Sequence, residues 1–337
     1  MSTVSRRARR LAGAVVVSGF CAGLLVTGPA RAITANSDRS YLVVYDNNLE
    51  NQTKPACGYD WEKLYTSIKA QPTSPDIFTV QQISNQAALD ALTKRMTEDL
   101  PGSYAGVIAV ANPTPLSNYD KDHVCKDGAA PAKPYYKRTQ TNAVIYRSDR
   151  FTTKAEIRWR SDAPDDLGTN HDCRNLTKDN SDGDHDGRNQ DRVENVAVRL
   201  TDNLAKKDVT VASFHWPTSS PWNGPYCAEE NMQEAEDRTA EIGSGTLTVL
   251  GGDANTYVNN KNSGTWWQDA IADKFSDPIG GACAASCPTS ANTSGGHRID
   301  FMLVKGSAAT TGATTISTTA TGGKYSDHLA LKANVKY

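Results

Sequence analysis

Nine short runs of apolar and β-branched residues recur along the chain and constrain its fold more than any other feature. Runs of this kind predict strands. They are residues 41–45, 77–80, 105–111, 143–146, 196–200, 209–214, 247–250, 299–304 and 329–335. Helical patterning lies between them at residues 61–70, 85–100 and 228–242. Because the strands outnumber the helices that separate them, the pattern favours an α/β sandwich over a doubly wound parallel sheet.

The N-terminus has the organisation of a secretory signal peptide. Arginines at positions 6, 7, 9 and 10 precede an apolar run over residues 11–26, and Ala30-Arg31-Ala32 follows as a cleavage site. We therefore expect removal of residues 1–32, one folded domain over residues 33–337, and a secreted, extracellular protein. The alternative is a retained N-terminal anchor, because the run approaches one membrane span. No other apolar run does so, and we expect no transmembrane segment in the mature chain.

Removal of the predicted signal would make the chain acidic. The sequence has 36 basic and 38 acidic side chains, and residues 1–32 contain five of the basic ones and none of the acidic ones. The mature chain would then carry a net charge of about −7. Such a charge weighs against tight binding of a polyanion unless basic residues gather locally. The candidates for a local basic patch are Lys137, Arg138, Arg158, Arg160, Arg188 and Arg192.

Cysteine usage fits an exported protein. Of the seven cysteines, Cys21 lies in the predicted signal. The remaining six are an even number and predict three disulfides, of which Cys283 and Cys287 are close enough for a small local loop. The other pairings, among Cys57, Cys125, Cys173 and Cys227, stay open. A zinc site is disfavoured, because the sequence has no C-x-x-C pair and no histidine at zinc-like spacing.

Polar residues at the ends of the predicted strands are the candidates for chemistry. Asp253 and Asn255 follow two glycines after the strand 247–250, and His215 follows the strand 209–214. Asp300 lies within the strand 299–304, and His328 opens the last strand. Each feature alone is weak, because glycine-aspartate pairs are common in turns. Together they predict one cleft that contains carboxylates and imidazoles.

This ordered set of motifs resembles the endonuclease/exonuclease/phosphatase superfamily, whose members have the fold of deoxyribonuclease I. Together with the predicted signal peptide, the resemblance implies a secreted bacterial member of that superfamily. The matching segments are Tyr45-Asp46-Asn47-Asn48-Leu49, residues 76–83, residues 142–147, His215, Gly252-Asp253-Ala254-Asn255, Arg298-Ile299-Asp300 and Ser326-Asp327-His328. The resemblance implies a four-layer α/β/β/α sandwich of two mixed β-sheets with the active site at one edge. It also implies a monomeric hydrolase of phosphoric ester bonds.

The resemblance assigns roles to five residues. His328, oriented by Asp300, would polarise or deprotonate the attacking water, since a carboxylate on one ring nitrogen makes the other more basic. Asp253 would orient that water. Asn255 would donate to a non-bridging phosphate oxygen, and His215 would contact the phosphate or protonate the leaving group.

Three further residues resemble ligands of a divalent cation, Mg²⁺ or Mn²⁺. They are Asn47, Gln82 and Asp327, with Asn47 preferred over its neighbour Asn48. The superfamily usually has glutamate where this chain has Gln82. An amide oxygen lacks the negative charge that attracts Mg²⁺, so we expect weaker metal binding. The alternatives are an enzyme that uses another ion and a catalytically silent binding module.

A second ion site is possible in an acidic loop. Asp182, Asp184 and Asp186 have the alternating spacing that begins a Ca²⁺-binding loop. The twelfth position, usually glutamate, is Val193, and Glu194 lies one residue later. The alternative is a solvated acidic loop that binds no ion.

The sequence indicates the type of reaction more directly than it indicates the substrate. We expect a nuclease that cleaves DNA or RNA, with a sphingomyelinase or phospholipase C-like enzyme as the alternative. Aromatic residues near the candidate site could stack on bases, insert into a lipid interface or pack in the core. These residues are Trp216, Trp222, Tyr226, Trp266 and Trp267.

Overall fold

Two six-stranded sheets are the central layers of the computed structural model. The structure describes residues 32–49, 61–113, 140–164, 172–175, 191–218, 224–280, 292–307, 309–317, 319–322 and 325–337. Within these ranges, residues 33–337 belong to one compact unit.

The first sheet combines strands from both ends of the chain. Its strands are β1 (Tyr41–Asn48), β2 (Ile77–Ile83), β3 (Tyr104–Ile108), β4 (Thr141–Arg147), β13 (Thr310–Ile316) and β14 (Ala330–Lys336). Their order is β13-β14-β1-β2-β4-β3. Because β1 runs parallel to β2 and antiparallel to β14, the sheet is mixed.

The second sheet comes from the middle of the chain. Its strands are β5 (Phe151–Arg160), β8 (Glu194–Asp202), β9 (Lys207–His215), β10 (Leu247–Asp253), β11 (Phe275–Ser276) and β12 (Asp300–Lys305), in the order β11-β12-β10-β9-β8-β5. The central strand β10 is parallel to β9 and antiparallel to β12, so this sheet is also mixed. A separate short hairpin pairs β6 (Asp162–Pro164) with β7 (Cys173–Asn175).

Helices cover the outer face of each sheet. In the described residues they are α1 (Trp61–Lys69), α2 (Gln86–Asp99), α3 (Ala228–Glu241) and α4 (Trp266–Ala272). Helix α2 begins after Asn85, whose side chain accepts a hydrogen bond from the amide of Ala88. It ends at Leu100, whose extended conformation is the one favoured before Pro101.

The alternation of side chains along each strand builds three layers of apolar packing. Val43 and Tyr45 of β1 pack under α1 and α2, whereas Leu42 and Val44 face the second sheet. A third cluster, which includes Phe214, lies between the second sheet and helices α3 and α4. Three packed interfaces require four layers. The predicted four-layer α/β/β/α sandwich is therefore confirmed.

All nine predicted strands and all three predicted helices are present, with ends shifted by a few residues. The segment 247–250 continues as a strand through both glycines to Asp253. Strands β5, β6, β7 and β11 and helix α4 are not among the predicted elements. Five of the ten residues of β5 are exposed, so its apolar pattern is weak in the sequence.

Cys173 and Cys227 form a disulfide between β7 and the turn before α3. The other cysteines, residues 1–31 and the Asp182–Asp186 loop lie outside the described residues, so the signal peptide, the remaining disulfides and the Ca²⁺ site stay predictions. In the part of the chain that is described, no helix combines the length and apolar character needed to cross a membrane.

Candidate active site

The face of each central strand that lies between the sheets changes from apolar to polar along the strand. In β1, Leu42 and Val44 pack in the core between the sheets, and Asp46 and Asn48 continue the same face. The corresponding faces of β9, β10 and β12 carry at this end His215, Asp253 and Asp300. All five polar side chains are buried. The space between the sheets is therefore lined by apolar side chains at one end and by buried polar and ionisable side chains at the other.

Strand register places three of these residues in one row. Asp253 of β10 pairs with His215 of β9 on one side and with Asp300 of β12 on the other. Adjacent strands lie about 4.8 Å apart, so the side chains are neighbours. His215 Nε2 is 3.5 Å from Asp253 Oδ2. The structure thus brings together residues that are separated by 85 positions in the sequence, from 215 to 300.

His328 completes the site from the loop before β14. Its Nδ1 lies 2.8 Å from Asp300 Oδ2, and its Nε2 lies 3.8 Å from Asp253 Oδ2. The loop is held in place because Ser326 Oγ donates to the carbonyl of Asn48 and accepts from the amide of His328. Burial alone would lower the pKa of His328, but the Asp300 and Asp253 carboxylates raise it to about 10.

Two hydrogen bonds hold the Asp253 carboxylate. Asn48 Nδ2 donates to Asp253 Oδ2 over 2.9 Å, and the amide of Asn255 donates to Oδ1 over 2.8 Å. Burial and the nearby Asp300 carboxylate raise the pKa of Asp253 to about 6. Asn255 has φ of 49°, a left-handed conformation that asparagine tolerates, and its Nδ2 donates to the carbonyl of Trp216.

His215 is fully buried, and its ring nitrogens have no hydrogen-bond partner among the described residues. Burial lowers its pKa well below the usual range, and Arg192 and His328 lower it further. Its backbone is fixed by a small network, since Asn195 Oδ1 accepts from the His215 amide and Ser161 Oγ donates to the His215 carbonyl. The His215 ring is therefore neutral, and hydrogen bonds to its backbone fix the position of the residue.

Comparison of the sequence with models of protein families shows the family to which the chain belongs. The model of the Endonuclease/Exonuclease/phosphatase family matches residues 62–328, which is more than half of the chain. The chain belongs to the endonuclease/exonuclease/phosphatase family. Members of this family hydrolyse phosphoric ester bonds, and the predicted enzyme class is confirmed. A search of curated proteins finds no significant match.

Solved structures share the fold of this family member. The catalytic domain of human Nocturnin, solved with a bound sulfate anion, is 15% identical with a TM-score of 0.56, covering 88% of this chain and 94% of that domain. A family protein from Bacteroides vulgatus is 13% identical with a TM-score of 0.55, covering 88% and 99%. Another from Leptotrichia buccalis is 14% identical with a TM-score of 0.55, covering 88% and 100%. At these identities the likeness concerns the fold alone.

The register of β1 corrects the expected placement of Asn47 in this family member. Asn48 contacts Asp253, whereas Asn47 lies on the opposite face with Val43 and Tyr45. The Asn47 amide is buried and has no hydrogen-bond partner in the described residues. Asn48 is thus the asparagine of β1 that faces the site.

The two other predicted metal ligands lie at the edge of the buried group. Gln82 occupies an irregularity at the end of β2 with φ of 58°, and its Oε1 accepts a 2.7 Å hydrogen bond from Gln140 Nε2. Asp327 is 44% exposed, and its Oδ1 lies 3.6 Å from His328 Nε2. Asp327 is therefore an exposed neighbour of His328, and the side-chain oxygen of Gln82 is already occupied by Gln140.

The buried group fits a divalent cation. Asp253 and Asp300 each offer a carboxylate oxygen, and these oxygens and a ring nitrogen of His328 lie within 4.8 Å of one another. Asp46 is a third buried carboxylate nearby, and its Oδ2 has no hydrogen-bond partner among the described residues. Three carboxylates against one imidazolium leave excess negative charge, which a cation with a preference for oxygen ligands would neutralise.

Proposed function

We propose that this protein is a secreted, monomeric, divalent-metal-dependent phosphodiesterase that cleaves DNA or RNA. The observation that carries the proposal is the position of Asp253 between two histidines, with Asp300 fixing one of them. This arrangement provides a proton acceptor, a cationic donor and a neutral donor within one buried cluster. These groups can activate a water, neutralise charge on the phosphoryl oxygens and assist the leaving group in the hydrolysis of a phosphodiester.

Asp253 is placed to accept the proton of the attacking water. Its raised pKa, about 6, keeps it ionised at neutral pH while making it a stronger base than an exposed aspartate. The hydrogen bonds from Asn48 and the Asn255 amide orient its carboxylate. The proposal therefore gives Asp253 the basic role that the resemblance assigned to His328.

His328 acts as a cationic donor in this proposal. Asp300 holds Nδ1, so Nε2 faces Asp253 and the substrate side. With its pKa raised to about 10, the ring is an imidazolium at neutral pH and donates to a phosphoryl oxygen. His215 is neutral and donates its ring N–H to the phosphate or the leaving oxygen.

A divalent cation, Mg²⁺ or Mn²⁺, would be held by the buried carboxylates and would neutralise charge that develops on the phosphoryl oxygens. Asp253 and Asp300 would provide buried oxygen ligands. The partly exposed Asp327, which lies beside His328, would provide a further one. His328 remains the proton-bearing donor beside them.

Nucleic acid is favoured over a phospholipid by the placement of three of the five aromatic candidates. Trp216, Trp266 and Trp267 are buried and pack together under the second sheet, so they are not available to insert into a lipid interface. Tyr226 is 36% exposed, and Trp222 lies outside the described residues. Arg192 lies close enough to His215 to lower its pKa and provides positive charge beside the site. An anionic strand is attracted by that charge.

The test is a substrate panel with protein collected from the medium of cells that express the full chain. Plasmid DNA, RNA, sphingomyelin vesicles and a sugar phosphate are incubated with Mg²⁺, Mn²⁺ or EDTA. We expect cleavage of nucleic acid that EDTA abolishes and that His328→Ala lowers at least about a thousandfold. Activity confined to sphingomyelin would replace the nuclease proposal with the lipid one. Equal rates for wild type and His328→Ala in every metal would refute a role for this site.

A further inference from the structure

Asp46 lies deeper between the sheets than the residues of the proposed catalytic row. It precedes Asn48 by two positions on the same face of β1, and it approaches Gly251, which precedes Asp253 by two positions on β10. A Cβ added at Gly251 would lie 2.9 Å from Asp46 Oδ1. Asp46 is therefore the next layer below the Asn48 and Asp253 pair, and it is fully buried.

The two oxygens of Asp46 have different surroundings. Oδ1 accepts hydrogen bonds from Thr79 Oγ1 at 2.7 Å and Gln81 Nε2 at 2.9 Å. Oδ2 has no donor among the described residues. The Gln81 side chain also donates to Ser213 Oγ, while its Oε1 has no partner there either. Among the residues that the structure describes, two buried acceptor oxygens of one hydrogen-bonded pair thus lack a positive or donating group.

The charge around Asp46 is uncompensated. Asp300 is paired with His328, and Asp253 is held by Asn48 and a backbone amide. Asp46 lies on the same face of β1 as Asn48, which contacts Asp253. A buried carboxylate with a free oxygen beside two other carboxylates is costly unless a proton or a cation joins it.

We propose that Asp46 is a ligand of the divalent cation and supplies the negative charge that Gln82 lacks, with Gln81 Oε1 as a further oxygen ligand. The inference rests on the proposed metal-dependent function. Gln82 is a poorer ligand because it is uncharged and its Oε1 already accepts from Gln140. Mg²⁺ and Mn²⁺ prefer carboxylate and carbonyl oxygens, which Asp46 and Gln81 provide.

The first test measures Mn²⁺ affinity directly, by calorimetry and by the electron paramagnetic resonance signal of free Mn²⁺. The proteins are wild type, Asp46→Asn, which keeps the side-chain shape and removes the charge, and Gln82→Ala as the matched control. We expect Asp46→Asn to weaken Mn²⁺ binding at least tenfold and Gln82→Ala to change it less than twofold. An Asp46→Asn affinity within twofold of wild type would overturn the inference. A loss of Mn²⁺ affinity in Gln82→Ala larger than that in Asp46→Asn would also overturn it.

The second test needs no variant, so it holds even if Asp46→Asn fails to fold. Crystals of the wild-type protein are soaked in Mn²⁺, and the anomalous signal locates the ion. An ion within coordination distance of Asp46 Oδ2 supports the inference, and an ion bound only at other residues refutes it. Hydrolysis of DNA is measured separately. If DNA is cleaved in a metal-dependent reaction but Mn²⁺ is bound only at residues other than Asp46, only the inference is refuted. If Mn²⁺ is bound at Asp46 but DNA is not cleaved, only the proposed function is refuted.

Discussion

Asn48 and Asp253 join the two sheets at the candidate site. Asn48 Nδ2 at the end of β1 donates a buried 2.9 Å hydrogen bond to Asp253 Oδ2 at the end of β10. The two residues are 205 positions apart in the sequence. This bond orients the carboxylate that the proposed reaction uses as a base, and it couples that carboxylate to the opposite sheet.

The adjacent asparagines Asn48 and Asn47 should therefore differ sharply when replaced. Asn48→Ala removes a donor to a charged group, which is worth about 2 kcal/mol, or roughly thirtyfold in kcat on DNA. Asn47→Leu replaces an amide without a partner in the described residues, so activity should change less than about twofold and the free energy of unfolding should not fall. Steady-state kinetics and urea denaturation measure both. Similar losses of kcat in the two variants would contradict the assignment of faces.

The pH dependence of stability should report the charge of His328. Asp300 and Asp253 raise its pKa to about 10 from 6.5 despite burial. The imidazolium therefore contributes stability that is complete below pH 6.5 and is lost as the pH rises through 10. In EDTA, the free energy of unfolding of wild type should fall from pH 7 to pH 10 more steeply than that of His328→Gln. Parallel curves for the two proteins would show that His328 is neutral.

A buried ion network at the other end of the sheets should govern global stability. Asp202 Oδ2 accepts from Arg150 Nη2 and from Tyr337 Oη, both at 2.7 Å, and Arg150 Nη1 lies 3.1 Å from Asp76 Oδ2. Asp202→Asn leaves the buried guanidinium with one carboxylate and should lower the free energy of unfolding by about 3 kcal/mol. As a control, Asp208→Asn disrupts a partly exposed pair with Arg199 and should cost about 0.5 kcal/mol.

The same network sets a pH window for this effect. Burial would raise the pKa of Asp202, but its hydrogen bonds from Arg150 and Tyr337 lower it below 3.8. Its contribution is therefore present above pH 3.8 and disappears as the pH falls through the lower native pKa. The stability gap between wild type and Asp202→Asn should narrow below pH 4. A gap that stays constant would mean that charge is not its source.

The sequence predicts much of this fold because strand patterning is strong in its central strands. Residues 209–214 are mostly apolar and are buried on both faces, since both sheet faces are covered, and the run ends at His215 in the candidate site. The edge strand β5 escapes prediction because its outer face is charged. Edge strands lack the second layer of packing that makes a strand apolar throughout.

Side-chain direction at the site is where sequence reasoning fails. A shift of one residue reverses the face of every side chain in a strand, so the order Asp46-Asn47-Asn48 does not show which residues face Asp253. Gln82 adds a backbone irregularity with positive φ that no local signal announces. The sequence does not mark Asp46 either, since its position is defined by strands β2 and β10 rather than by its neighbours in sequence.

The close approach of the two sheets at Gly251 yields the last prediction. An added Cβ there would lie 2.1 Å from Thr79 Oγ1 and 2.9 Å from Asp46 Oδ1. Gly251→Ala should therefore lower the free energy of unfolding by about 2 kcal/mol through overpacking. Thr79→Ala removes the nearest clashing atom, so it should cost less in the Gly251→Ala background than in wild type. Urea denaturation of the four proteins in a double-mutant cycle measures that coupling. Strictly additive effects would show that the methyl group is accommodated elsewhere and that Thr79 does not set the distance between the sheets.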